Sequence, residues 1–223
     1  SAVTTGNSVL LSIGSRFFVT SVTDKKGNTY ARDRSAATSG ANIALWRSSN
    51  VTGGASFTVT ITVESLCDID VVMQEVGCVL ALLNHNAAIG IIPAGGASYS
   101  SGAAMSHPMQ AISWTASCTN SLDTDSHPGA PGYGNNGNQH AGDTSFDWAY
   151  DVFAAGTSQQ PVWTCGVGGV VFAAAHALYY EPVVANFTAV PTSGVSPLLV
   201  VFTDSSTGSP TSWFWQFGDG QLS

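Results

Sequence analysis

Apolar residues recur with period two along most of this chain, and the i, i+3, i+4 spacing of an amphipathic helix is almost absent. Residues 9–13, 17–22, 43–46 and 56–63 are rich in β-branched and aromatic side chains and end in turn chemistry. Asp24-Lys25-Lys26-Gly27-Asn28 reads as a hairpin turn, and Asn50-Val51-Thr52-Gly53-Gly54 as another. Further strands are expected over 69–76, 79–83, 110–118, 146–153 and, in two pieces, 162–178. Short strands at this spacing predict an all-β chain, an antiparallel β-sandwich of jelly-roll type.

Composition narrows the class. Of 223 residues 9% are charged, net charge −8, with six Lys and Arg in all, against about 25% charged in an ordinary soluble domain. Six cations cannot neutralise a phosphate backbone, so no nucleic-acid partner is expected. The longest apolar run, 167–180, is broken by Gly168, Gly169 and His176, and it is shorter than the ~20 residues of a membrane helix. A surface of Ser, Thr, Asn and Gly stays wet through neutral hydrogen bonds. That habit points to an extracellular, cell-surface or virion-surface setting.

Four cysteines, Cys67, Cys78, Cys118 and Cys165, fit an oxidising compartment. A strand over 69–76 would hold Cys67 and Cys78 about 36 Å apart at ~3.3 Å per residue, far beyond disulfide reach. Cys118 shares a strand face with Ile112, Trp114 and Ala116, and Cys165 shares one with Trp163 and Val167. A Cys118–Cys165 disulfide is therefore expected; the alternative is four buried thiols acting as small hydrophobes.

Residues 119–145 break the strand pattern, with Gly129, Pro131, Gly132, Gly134 and Gly137 among asparagines. Loops of this length tend to be functional. The contact surface is expected here, through Asp123, Asp125, Tyr133, Asn135, Asn136, His140 and the adjacent Trp148. His127, His140, Asp123, Asp125 and Asp143 also make this loop the best candidate metal site. Oxygen ligands would favour calcium and added histidines a transition metal; the alternative is a solvated Gly/Asn loop. A second weak stretch runs over 93–106.

Other chemistry is thin. Glu75 sits among Val71, Val72, Met73 and Val76, a setting that could raise its pKa towards general-acid use; the alternative is an ordinary strand glutamate. No Gly-x-Ser-x-Gly elbow marks a nucleophile, though serines are plentiful enough to leave a Ser/His/Asp arrangement open. His176, between Ala175 and Ala177, reads as a core histidine. Tyr99, Tyr133, Trp148 and Tyr150 lie in or beside loops, where rings can stack on sugars.

The texture changes near Glu181-Pro182, which divides the chain into a β-sandwich domain, 1–182, and a second segment, 183–223. In the second, Ala185-Asn186-Phe187-Thr188-Ala189, Val201-Phe202-Thr203-Asp204 and Trp213-Phe214-Trp215-Gln216-Phe217-Gly218-Asp219-Gly220 follow one another in order. This segment resembles the first half of a PKD domain, an Ig-like β-sandwich, with Gln216 where that family usually has Asp. Half a sandwich leaves apolar faces uncovered, so the polypeptide is expected to continue or to be completed by another chain. Residues 1–182 resemble, through Val19-Thr20-Ser21-Val22-Thr23-Asp24-Lys25-Lys26-Gly27-Asn28-Thr29-Tyr30, β-sandwich modules of bacterial, archaeal and phage surface proteins. These resemblances imply a non-catalytic structural or attachment protein without an inherited active site. Its expected partners are surface, filament or capsid subunits, cell-surface glycans, or copies of itself in a homo-oligomer. The alternative is an accessory carbohydrate-binding part of a larger secreted hydrolase.

Overall fold

The computed structural model describes residues 2–120, 133, 135–141 and 144–216, with the backbone alone at 135 and 138–141. Among these residues every regular element is a strand, and every pairing is antiparallel. The chain divides into two compact units, Ser1–Tyr180 and Glu181–Ser223.

The first unit runs β1 (Ser8–Ser15), β2 (Val19–Asp24), β3 (Ala31–Ala37), β4 (Asn42–Ser48), β5 (Val59–Val63), β6 (Ile69–Val76), β7 (Ala81–Ile91) and β8 (Ala97–Ser100). It continues with β9 (Met105–Ser106), β10 (Ala111–Thr119), β11 (Asn135–Ala141), β12 (Thr144–Phe153), β13 (Ser158–Gln159), β14 (Val162–Cys165) and β15 (Val171–Tyr180). A four-stranded sheet, β3-β4-β1-β6, faces a five-stranded one, β11-β12-β10-β15-β7. Leu10, Ile43 and Leu45 from the first meet Trp114, Ala116, Phe146 and Tyr179 from the second. Each buried Leu, Ile or Phe among them contributes about 1.5–3 kcal/mol. This is a β-sandwich.

Both sheets are also covered on their outward faces. All eight residues of β1 are buried. Leu10 points between the sheets, while Val9, Leu11 and Ile13 pack beneath the β2–β5 ribbon with Val19, Val22, Ile61 and Phe57. On the other side, the β8–β14 ribbon brings Tyr99, Trp163 and Cys165 over Ala149 and Ala174. The order through the unit is ribbon, sheet, sheet, ribbon. Period-two alternation therefore does not separate inside from outside in the central strands. In β10 it separates the apolar face, Trp114, Ala116 and Cys118, from a polar but equally buried one, Ser113, Thr115 and Ser117.

Close approach of the sheets requires a glycine. A Cβ on Gly14 would stand 2.5 Å from the Phe146 ring, which is fully buried.

The turns at 24–28 and 50–54, read as hairpins, join strands that do not pair with each other, and the weak stretch 93–106 holds β8 and β9. Three further elements differ from the sequence reading. β3, with Arg32, Asp33 and Arg34, is an edge strand that its charges concealed. β7 continues through Asn84-His85-Asn86 to Ile91. Most consequential, the Gly/Asn run expected as loop forms β11 from Asn135, pairing along β12 from Asn135↔Tyr150 to Ala141↔Thr144. Gly137 permits this, because the Trp148 ring lies 2.8 Å from where its Cβ would stand.

The second unit contains β16 (Phe187–Val190) and β17 (Val201–Asp204), paired as a ribbon and extended by a bridge between Val184 and Thr207. Phe187, Phe202 and Trp215 cluster with ring centroids 5.6–6.2 Å apart. Phe187, Trp213 and Phe214 remain 55%, 54% and 72% exposed. Its aromatic face is open.

Candidate functional site

The densest polar arrangement lies on the outward face of the five-stranded sheet. Thr115 stands opposite His176 in the β10–β15 register, which brings Ser113, two residues along the same face, beside the imidazole. The Ser113 hydroxyl bonds His176 Nε2 at 2.6 Å and also bonds the Tyr133 hydroxyl. One layer across, Tyr99 shares a 2.6 Å hydrogen bond with Ser117, and Thr115 donates to the Ala175 carbonyl at 2.8 Å. Ser113, Thr115, Ser117 and His176 are fully buried. Tyr99 stacks on Phe172 at 4.2 Å, and Tyr133 meets the Phe153 ring edge-on at 5.2 Å, so aromatic packing holds the phenols that close the layer.

The imidazole of this layer is held neutral, while buried Asp147 stands opposite Ser117 on the same face. Burial, reinforced by nearby His107, holds His176 down to about 3. No described side chain accepts from its Nδ1, so a protonated ring would carry an unmatched N–H. Burial likewise pushes Tyr133 well above the ordinary phenol range. His107, also buried, bonds the Met109 carbonyl at 2.7 Å and the Thr157 hydroxyl at 3.0 Å, tying two loops together. Ser113 and His176 resemble the first two members of a nucleophilic triad in distance. They lack the carboxylate on Nδ1 and any exposed surface for a substrate.

The expected contact residues fall into different environments. Asp123 and Asp125, like His127 and Asp143, lie outside the described residues. Tyr133 is 7% exposed and belongs to the buried layer. Asn135 and His140 are strand residues of β11, opposite Tyr150 and Ser145. Asn136 is exposed, its amide donating to the Tyr133 carbonyl at 3.4 Å. Trp148 is half-buried, stacked on Tyr150, which in turn stacks on core Trp114. Among the described residues no three His, Cys, Asp or Glu side chains are grouped to hold a metal.

Two expectations are corrected. No disulfide joins Cys118 to Cys165. Cys118 points between the two sheets, whereas Cys165 lies in the layer outside the five-stranded sheet. Trp163 and Cys165 do share a buried face, but β14 ends at Cys165 and Val167 is exposed, and the two strands belong to different layers. Burial pushes the Cys118 thiol up to about 12. Glu75, whose setting suggested a raised pKa, is instead held below the usual range by the Thr4 amide at 2.8 Å and the Asn7 side chain at 2.6 Å. It anchors the N-terminal loop.

A different surface was missed. Phe187, Phe202, Trp213, Phe214 and Trp215, with Asp204, line a groove of about 360 Å³ within the second unit. The paired tryptophans were its visible signal. No protein-family model, curated protein or solved structure matches the chain, and among the described residues no helix is long and apolar enough to cross a membrane.

Proposed function

We propose that this is a non-catalytic structural or attachment protein of an extracellular or virion surface, in which a rigid β-sandwich carries contact loops and a PKD-like second unit. The observation that carries the reading is the sealed polar layer. The best-placed reactive pair, Ser113 and His176, is spent on tying strands β10 and β15 together and offers no cleft. Covering both faces of both sheets makes a stiff spacer, and function on such scaffolds resides in loops. The resemblance of the second segment to PKD domains favours the surface setting.

Incubating the full chain with chromogenic glycosides, esters and peptides tests the reading, together with a glycan array. No turnover is expected. Hydrolysis that survives purification and disappears in Ser113→Ala would overturn it. Binding on the array that Asn136→Ala weakens would assign attachment to glycans through the β11 side of the sandwich.

A further inference from the structure

A second hydroxyl–imidazole pair lies outside the polar layer, at the end of the β9–β13 ribbon. That ribbon pairs Met105 with Gln159 and Ser106 with Ser158, so the next opposed pair is His107 and Thr157. Two backbone bonds fix it. The His107 amide donates to the Thr157 carbonyl at 3.2 Å, and the Gly156 amide donates to the His107 carbonyl at 2.8 Å. His107 is buried, whereas Thr157 is exposed on a turn of small residues, with Ala154, Ala155, Gly156 and Ser158 exposed around it. The Met109 carbonyl can only accept, so Nδ1 of His107, 2.7 Å away, carries the proton. In the neutral ring Nε2 is then the acceptor, and it stands 3.0 Å from the Thr157 hydroxyl. That hydroxyl also has the Ala154 carbonyl within reach as an acceptor, at 2.9 Å. Gln159, two residues along and itself buried, donates its side-chain amide to the same oxygen at 3.2 Å.

We propose that Thr157 is an acyl-acceptor site, a nucleophile for activated carboxylic esters, with His107 as its base and the Gln159 amide as donor to the oxyanion. Thr157 Oγ1 forms a bond to the ester carbonyl carbon while its proton passes to Nε2 of His107. The Met109 carbonyl, bonded to Nδ1–H, holds the ring in the tautomer this step needs and favours the imidazolium that forms. Collapse breaks the bond between the carbonyl carbon and the leaving alcohol, which takes the proton from Nε2, and an acyl-threonine ester remains. Ser113 and His176 have the hydroxyl–imidazole distance without access; Thr157 has both. The small side chains of its turn build no wall around a substrate, so reactivity is set by the carbonyl rather than by shape. The product is one acyl group per chain, which is compatible with the absence of turnover proposed above and does not depend on it.

Incubating the full chain with p-nitrophenyl acetate, followed by intact mass measurement and peptide mapping, tests this. Thr157 should take up acetyl about a hundredfold or more faster than other exposed threonines, the margin a positioned base supplies. Thr157→Val should abolish that label with the chain still folded, and Thr157→Ser should keep it. Acetyl on Lys25 or Lys26 with none on Thr157 overturns the proposal and leaves the non-catalytic reading standing. Labelling of Thr157 at the parent rate in a folded His107→Asn variant overturns it as well. Nitrophenol release that continues past one equivalent and is lost in Thr157→Val supports the nucleophile and overturns the non-catalytic reading instead.

Discussion

The hydroxyl of Ser113 lies 2.6 Å from Nε2 of His176, inside a layer that water does not reach. A serine and a neutral imidazole are here a packing device. The bond ties neighbouring strands β10 and β15 through their polar faces, and Tyr133 extends it to the chain segment before β11.

Acid should weaken the first unit through this pair. The folded His176 sits near 3, below an unfolded histidine near 6.5. The folded state therefore binds fewer protons, and its advantage is complete above about pH 6.5 and is lost as pH falls towards 3. The loss amounts to about 5 kcal/mol at most. Urea midpoints measured from pH 7 to pH 4 should fall for the parent chain and flatten in His176→Asn. Equal slopes for the two chains would refute the assignment.

Alkylation should distinguish the cysteines. Cys118 is buried with its thiol held near 12, whereas Cys67 is partly exposed. Iodoacetamide at pH 8 should label Cys67 within minutes and leave Cys118 unmodified until denaturant is added. Peptide mapping without reductant should recover Cys118 and Cys165 as separate peptides; a linked pair would contradict the layering.

Gly14→Ala should cost about 1–3 kcal/mol, because its methyl meets the Phe146 ring in a core with no room to yield. The variant Gly14→Ala with Phe146→Leu should recover part of that loss. Thermal unfolding of the two variants checks it, and an unchanged midpoint in the single variant would place the clash elsewhere.

Asn28 joins two turns, accepting from the Thr52 amide at 2.7 Å while its own amide reaches Asp24 at 2.9 Å and the Thr52 carbonyl at 3.1 Å. Asn28→Ala should destabilise the first unit by about 1–2 kcal/mol. It should also raise amide exchange at Thr52 before it affects β1. Exchange rising uniformly would argue against a local tie.

Alternation in residues 69–76 reads directly as β6, since its two faces carry distinct apolar sets, Val72 and Val76 inward, Val71 and Met73 outward. β3 escaped because an edge strand can carry Arg and Asp at no cost to the core. β11 escaped for the opposite reason: Gly137 is required by the Trp148 ring, a demand made by another strand. The same limit governed the cysteines, where face parity is a local property and layer membership is not. The polar layer was least legible. Ser113, Thr115 and Ser117 look solvent-facing until Tyr99, Trp163 and the β8–β14 ribbon close over them.

That enclosed row of hydroxyls also acts as an alignment code. Sliding β10 by one residue would drive Ser113, Thr115 and Ser117 into the apolar space beside Phe146 and Leu45, and would turn Trp114 and Cys118 towards His176. Every slip by an odd number of residues strands hydroxyls without partners and an imidazole without its serine. In a chain with so few charges to discriminate right from wrong neighbours, buried Ser and Thr supply the proofreading.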